Sequence, residues 1–280
     1  MKISILLAAY KSEELLRKVF IPSLKKHGNA ETELIIYDNG YNLREDEPKH
    51  IALCDYYNNG TLGFDCSRKV EVIGNGKNIG LNAALNACAK IATGDFFYLP
   101  HSDMALMPGW DTALLQAAKN QAPASFLMCS RSVEPTPGHT RHHIIKNYGM
   151  EASEFREEEL LKDFKDYKDP TIEVGARMPF FLHRKLWERM NGVDENYFSY
   201  CTDDDLIQEA WHAGVRKFWM VHDSLVYHLQ GKSNNQQKVD KDSNKPYEYF
   251  VDKWKKKGYA DAAHPGIWHP QIIPFYTKVR

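Results

Sequence analysis

No apolar run in this 280-residue chain approaches the ~20 residues a helix needs to cross a bilayer, so membrane contact is expected to be peripheral at most. The opening MKISILLAAY sets Lys2 before a short apolar run, as a secretory leader does. No cleavage region follows and KSEELL brings charge at once, so the segment reads as a strand. Cysteine is sparse: five residues, an odd number, scattered at 54, 66, 88, 129 and 201 without a CxxC pair. That argues against a disulfide framework and a structural zinc site, and it points to a reducing, cytoplasmic compartment. Charge excess is missing too, with 36 basic against 37 acidic residues and a pI near 6.9. Without a basic field the chain has no footing for nucleic acid or anionic lipid, and any phosphate recognition must be local. Gly231-Lys232-Ser233 lacks the upstream glycines of a phosphate-binding P-loop, and Gly74, Gly76 and Gly80 are not spaced as GxGxxG. A dinucleotide-binding sheet is therefore a weak alternative. There is no internal repeat and no persuasive linker, so 280 residues read as one domain.

What is present is an alternation of strand and helix signals. KISILLAAY, TELIIYDNG, KVEVIGN and DFFYLPHSD are apolar runs closing on turn residues; KSEELLRKVFIPSLKKHG and IGLNAALNACAKIATG between them carry helical spacing. Strands separated by helices predict a parallel sheet with right-handed crossovers, which binds ligands beyond the carboxyl ends of its strands. Those ends are Ala8-Ala9-Tyr10, Asp38-Asn39 and His101-Ser102-Asp103. Further on, PGWDTALLQAAKN, the acidic EASEFREEELLKDFKDYKDP and YEYFVDKWKKKGY read as helices, and ASFLMCSRSV and KFWMVHDSLVYH as strands. The lysine run KWKKKGY reads as a solvated helix face, or at most as a contact with a membrane-bound lipid acceptor.

Three stretches carry candidate chemistry, each with a plainer reading beside it. Asp103 at a strand end is either a solvated turn residue or a ligand for a phosphate-bound Mg²⁺ or Mn²⁺, and Ser102 beside it can meet a ribose or sugar hydroxyl. TDDDL places Asp203, Asp204 and Asp205 at the start of a helix. One can cap it; three like charges together also suit a cation site or a general base. VYHLQGKS ends a strand at His228, a structural histidine or a metal ligand, with Lys232 and Ser233 able to neutralise a phosphate.

In order, these stretches resemble the large inverting family 2 of nucleotide-sugar glycosyltransferases, which have the GT-A fold. Ala8-Ala9-Tyr10-Lys11-Ser12 matches the end of the family's first strand and Asp38-Asn39-Gly40-Tyr41 its "DDGS". Asn78, Gly80, Ala84 and Asn86 match "N-x-G-x-x-x-A-x-N", and Gly94-Asp95 leads to His101-Ser102-Asp103 at "D-x-D", with histidine in place of the first aspartate. Pro108-Gly109-Trp110, the segment Trp187, Gly192, Asp194, Glu195 and Phe198, the run Thr202 to Leu206 at "E-D-x-D-L", and His228, Gly231 and Ser233 complete it.

The resemblance implies a mostly parallel central sheet flanked by helices with a small antiparallel acceptor-side portion. Residues 1–104 would be the nucleotide-binding half, 105–235 the acceptor half and 236–280 a C-terminal extension with an amphipathic helix. It implies that Ala8, Ala9, Tyr10, Asp38, Lys77, Asn78 and Ser102 hold the nucleotide, UDP before GDP or dTDP. Asp103 and His228 would bind Mn²⁺ or Mg²⁺, with Asp203 the general base and Asp204 the runner-up, while Asp205 caps its helix. Gly175, Lys232 and Ser233 fall on the acceptor or phosphate side, as does Trp187, which stacks a sugar or fills core. The implied partners are a nucleotide-diphosphate sugar and a glycan or lipid-linked acceptor, at the inner face of a membrane if at any, in polysaccharide or glycolipid assembly. The alternatives are a catalytically idle domain of the same fold and a nucleotidyltransferase on a similar sheet.

Overall fold

The computed structural model describes residues 1–39, 69–74, 77–137, 143–230 and 245–257. Strand β1 (Ile3–Ala9) enters a helical stretch of α1 (Glu13–Leu15), a π turn (Leu16–Phe20) and α2 (Ile21–His27). Pro22 brings no N–H to the helical ladder, and the backbone widens into the π turn just ahead of it. Strands β2 (Thr32–Asp38) and β3 (Lys69–Ile73) are followed by α3 (Leu81–Ile91), β4 (Phe96–Leu99), β5 (Met104–Leu106) and α4 (Trp110–Ala118). Then come β6 (Phe126–Glu134), β7 (Ile144–Ile145), α5 (Glu157–Tyr167), β8 (Ile172–Val174), β9 (Phe180–His183) and α6 (Arg184–Met190). The described chain closes with α7 (Thr202–His212), β10 (Lys217–His228) and α8 (Lys245–Lys256).

The strands form one sheet in the order β3-β2-β1-β4-β9-β6-β10-β5, with β7 beside β6 and β8 beside β10. β1, β2, β3 and β4 pair in parallel, as do β6 and β10, whereas β9 runs antiparallel between β4 and β6. Two reversals restore direction, so β1, β2, β3, β4, β6 and β10 all present their carboxyl ends to one edge. Alternation along β1 feeds two cores. Ile3, Ile5 and Leu7 face Phe20, Leu24 and Trp110, while Leu6 faces Ile35, Leu85 and Phe97 on the other side of the sheet. No helix among the described residues is long and apolar enough to cross a membrane.

At the opposite end of the sheet Glu33 is buried at 1% exposure, and its carboxylate is fully engaged. Ser4 Oγ, Thr93 Oγ1 and the Thr93 and Gly94 N–H groups donate to it, and Lys2 Nζ lies 2.8 Å away. Gly94 permits this approach: a Cβ there would stand 2.6 Å from Ser4 Oγ and 2.8 Å from the Lys2 carbonyl oxygen. Burial alone would raise the Glu33 pKa, but Lys2, Ser4 and Thr93 outweigh it and bring it from 4.5 down to about 2. A depressed folded-state pKa stabilises the fold above the unfolded value, and the benefit fades as pH falls from 4.5 toward 2. Glu33→Gln is therefore expected to lose about 3 kcal/mol at neutral pH, with the gap to the native chain closing in acid. Urea denaturation of both chains across that range measures it, and a pH-independent gap would contradict the assignment.

Candidate active site

The β4 strand ends at Leu99, and after Pro100 the chain turns through His101-Ser102-Asp103 before entering β5. The His101 carbonyl accepts the Met104 N–H at 3.3 Å, which closes the turn. β5 then pairs antiparallel with the end of β10, placing Met104 opposite His228, and the Leu229 N–H donates to the Asp103 carbonyl at 3.0 Å. That register brings His228 Nε2 within 3.5 Å of Asp103 Oδ2. His101 lies on the same side, its ring centroid 5.7 Å from that of His228. One donor atom from each of His101, Asp103 and His228 falls within 4.8 Å of the other two, a cluster able to hold a metal ion.

The electrostatics divide the two histidines. Burial, together with the charge of His228, lowers the His101 pKa below 6.5 against the pull of Asp103 and Asp203, so His101 is neutral near pH 7. Burial also opposes protonation of His228, but Asp103 and Glu134 outweigh it and lift its pKa to about 10. Asp103 and Glu134 thus favour positive charge on His228. Two imidazoles and a carboxylate that converge, with Asp103 buried and both histidines half-buried, fit a first-row divalent ion.

Across the same edge, α7 begins at Thr202 after Cys201 in the left-handed region at φ 65°. Thr202 Oγ1 donates to Asn82 Oδ1 at 2.9 Å, tying the start of α7 to α3. Asp203 is half-buried and accepts the Met178 N–H at 3.2 Å, and its charge acts on His101. Asp204 is also half-buried. On the nucleotide side, Ala9 pairs with Asp38 in the β1–β2 register, and the Asn39 N–H donates to the Ala9 carbonyl at 2.8 Å. Asn39 Oδ1 accepts the Ile79 N–H at 2.7 Å, and Asn78 Oδ1 accepts that of Gly80, so the Lys77–Gly80 turn is held against the end of β2. Ala8, Ala9, Tyr10, Asp38, Lys77, Asn78, Ser102, Asp103, Asp203, Asp204 and His228 therefore all gather at the carboxyl edge.

Of the two readings of Trp187, core is the one its surroundings support: it is buried at 6% exposure, edge-on to Phe97 at 5.7 Å. Gly175, just past β8, is buried, and its N–H donates to the Phe218 carbonyl at 2.9 Å, which leaves its backbone donor committed. Asp205 does not cap α7. It accepts from Tyr197 Oη at 3.1 Å and Trp254 Nε1 at 3.0 Å, and binds Lys253 Nζ at 2.7 Å. Lys253 also reaches Asp194 at 2.9 Å and Glu209 at 3.0 Å, and Lys257 reaches Glu209 at 2.7 Å. The lysine run is solvated only in part: Lys255 and Lys256 are exposed, whereas Lys253 and Lys257 clamp α8 onto α7 and the segment before it. Gly40, Tyr41, Lys232 and Ser233 lie outside the described residues. His101 as a third donor went unrecognised in the sequence, although its two-residue spacing from Asp103 was the available signal. Glu134 and Lys253 carried no motif at all.

A sheet of this order, mostly parallel with an antiparallel strand set between β4 and β6, is that of the GT-A class. Within that class, the family model of Glycosyl transferase family 2 matches residues 4–186, well over half of the chain, and the chain belongs to that family. Asp203 and His228 lie beyond the matched span. No curated protein matches the chain in sequence. Among solved structures, S. aureus TarS 1–349 aligns with TM-score 0.55 at 14% identity, covering 81% of this chain and 60% of that one. TarS 1–349 in complex with UDP-GlcNAc gives TM-score 0.55 at 14% identity, covering 81% of this chain and 58% of that one. GalNAc-T7 with UDP, GalNAc and Mn²⁺ gives TM-score 0.52 at 17% identity, covering 81% of this chain and 43% of that one. The chain thus spans less than two thirds of the length of the structures it resembles.

Lys253 pairs with three carboxylates, Asp194, Asp205 and Glu209, where α8 meets α7, and its side chain is only 10% exposed. Removing one partner of a buried ion pair leaves the other charges uncompensated. Lys253→Met is expected to cost about 3 kcal/mol, read as a lowered denaturation midpoint. A change within measurement error would place α8 off the body of the protein.

Proposed function

We propose that the chain is a metal-dependent, inverting glycosyltransferase that moves a sugar from a UDP-sugar to a hydroxyl group of a glycan or lipid-linked acceptor. The observation that carries this reading is the convergence of His101, Asp103 and His228 on one point, with Asp203 close enough for its charge to act on His101. The UDP-GlcNAc held by TarS and the UDP and Mn²⁺ held by GalNAc-T7 support the donor and the ion.

His101, Asp103 and His228 would hold the divalent ion, and the two imidazoles favour Mn²⁺ over Mg²⁺. When bound, such an ion neutralises the diphosphate leaving group as a Lewis acid. Ala8, Ala9, Tyr10 and Asp38 hold the nucleoside at the ends of β1 and β2, with Lys77 and Asn78 closing over it and Ser102 meeting a sugar hydroxyl. Asp203, anchored by the Met178 N–H, takes the proton of the acceptor hydroxyl as the oxygen attacks the anomeric carbon in line. The new C–O bond forms opposite the breaking bond to the diphosphate, and the configuration inverts. Asp204, the runner-up base, sits one residue along on the same half-buried turn.

Asp203→Asn is expected to lower turnover by ~10²-fold or more while leaving UDP binding intact, as measured by release of UDP and by thermal shift. Near-native turnover would remove Asp203 from the base role. Asp103→Ala should abolish the Mn²⁺-dependent part of UDP stabilisation in a panel of UDP, GDP, dTDP and CDP with and without Mn²⁺. If none of the four nucleotides stabilises the native chain, the idle-domain reading gains.

A further inference from the structure

Strands β6 and β10 run parallel, Val133 beside Tyr227, so their last residues, Glu134 and His228, stand side by side at the strand ends. The Glu134 side chain is only 7% exposed, and both its oxygens are engaged. Oε1 lies 3.1 Å from His228 Nδ1 and 2.9 Å from His143 Nδ1, while Oε2 accepts Gln230 Nε2 at 2.7 Å. Gln230 Nε2 donates as well to the Thr136 carbonyl at 2.9 Å, so the carboxylate is braced from the chain that follows each strand.

An imidazole has two nitrogens and can present only one to a metal. With Nδ1 donating to Glu134, Nε2 is the nitrogen turned toward Asp103, 3.5 Å away. A carboxylate behind a ligating histidine fixes both the ring orientation and the tautomer, and loss of such a partner weakens metal binding ~10–100-fold. Ser, Val or Leu at this strand end would satisfy the sheet equally well. A buried carboxylate there is costly unless a specific donor set answers it.

We propose that Glu134 is a positioning residue that holds His228 by Nδ1, so that Nε2 joins His101 and Asp103 on a single divalent cation. The inference rests on the metal site proposed above, and it makes Glu134 act through His228 alone. The shared partner His143 then braces the carboxylate without contributing to the ion.

The test is the affinity of the full chain for Mn²⁺ alone, without nucleotide, followed by the electron paramagnetic resonance of the free ion. Glu134→Ala is expected to weaken Mn²⁺ binding ~10–100-fold, with Glu134→Gln, whose amide oxygen still accepts from Nδ1, recovering most of the loss. In a His228→Ala background, Glu134→Ala should add nothing, because a residue acting through another is non-additive with it. His143→Ala should stay within ~3-fold of the native chain, being remote from the ion. Weakening by His228→Ala with no effect of Glu134→Ala overturns the proposal and leaves the metal site standing. Additive losses in the double variant overturn it too, since Glu134 would then act elsewhere. No effect of either His228→Ala or Asp103→Ala removes the metal site itself. Should alanine at 134 unfold the chain, Glu134→Asp is read in the same cycle. Withdrawing the carboxylate by one methylene should weaken Mn²⁺ several-fold, and native affinity would refute the proposal.

Discussion

Three backbone pairs between β5 and β10 set the chemistry of this molecule. β5 is only three residues long, and its antiparallel pairing places Met104 against His228, Ala105 against Tyr227 and Leu106 against Val226. Side chains alternate across a strand, so a slip of one residue would turn His228 to the opposite face of the sheet. Asp103 and His228, 125 positions apart in the chain, meet only because that register holds. Burial enforces it from both sides, since Met104, Ala105, Leu106, Val226 and Tyr227 are all at 1% exposure or less.

The same economy governs charge elsewhere. Three strongly buried carboxylates are matched by compact donor sets: Glu33 by Lys2, Ser4 and Thr93; Asp205 by Lys253, Tyr197 and Trp254; Glu134 by His228 and Gln230. A buried ion without partners would cost several kcal/mol, so these groups occur where segments distant in sequence converge. Glu33 ties the amino ends of β1 and β4 together. Asp205 fastens α8 to the start of α7. Glu134 sits behind the candidate metal ligands. Asp203, two residues before Asp205, keeps a half-buried carboxylate whose charge acts on His101, so one acidic run contributes both to the anchor and to the candidate site.

Much of the fold was legible in the residues. β1, β2 and β4 are continuous apolar runs ending in polar turns, and α3 is a run of small residues with helical spacing, so their type and order follow from local pattern. The place of β9 between β4 and β6 was not legible, because FFLH carries no mark of direction. The role of Asp205 was misread for a related reason. At the head of a helix a carboxylate looks like a cap, and nothing nearby reveals that α8 returns with Lys253 and Trp254 to claim it. Lys253 looked solvated with its neighbours because its acidic partners, Asp194, Asp205 and Glu209, lie some fifty residues earlier. Trp187 reads equally well as platform or core until Phe97 is placed against it.

His-Ser-Asp at a strand end, an acidic triplet opening a helix and a histidine closing a late strand are properties of the chain alone. Because parallel strands joined by right-handed crossovers end on one side, their order already brings them to a common edge. Tertiary structure decided how they meet there. His101 became a candidate third donor, His228 acquired Glu134 behind it, and the triplet divided into a half-buried pair and a buried anchor. Local periodicity specifies which face a residue takes, whereas the partner it finds on that face depends on contacts between segments a hundred residues apart. No repeat or spacing encodes such contacts, and burial makes them specific by penalising every unpaired alternative.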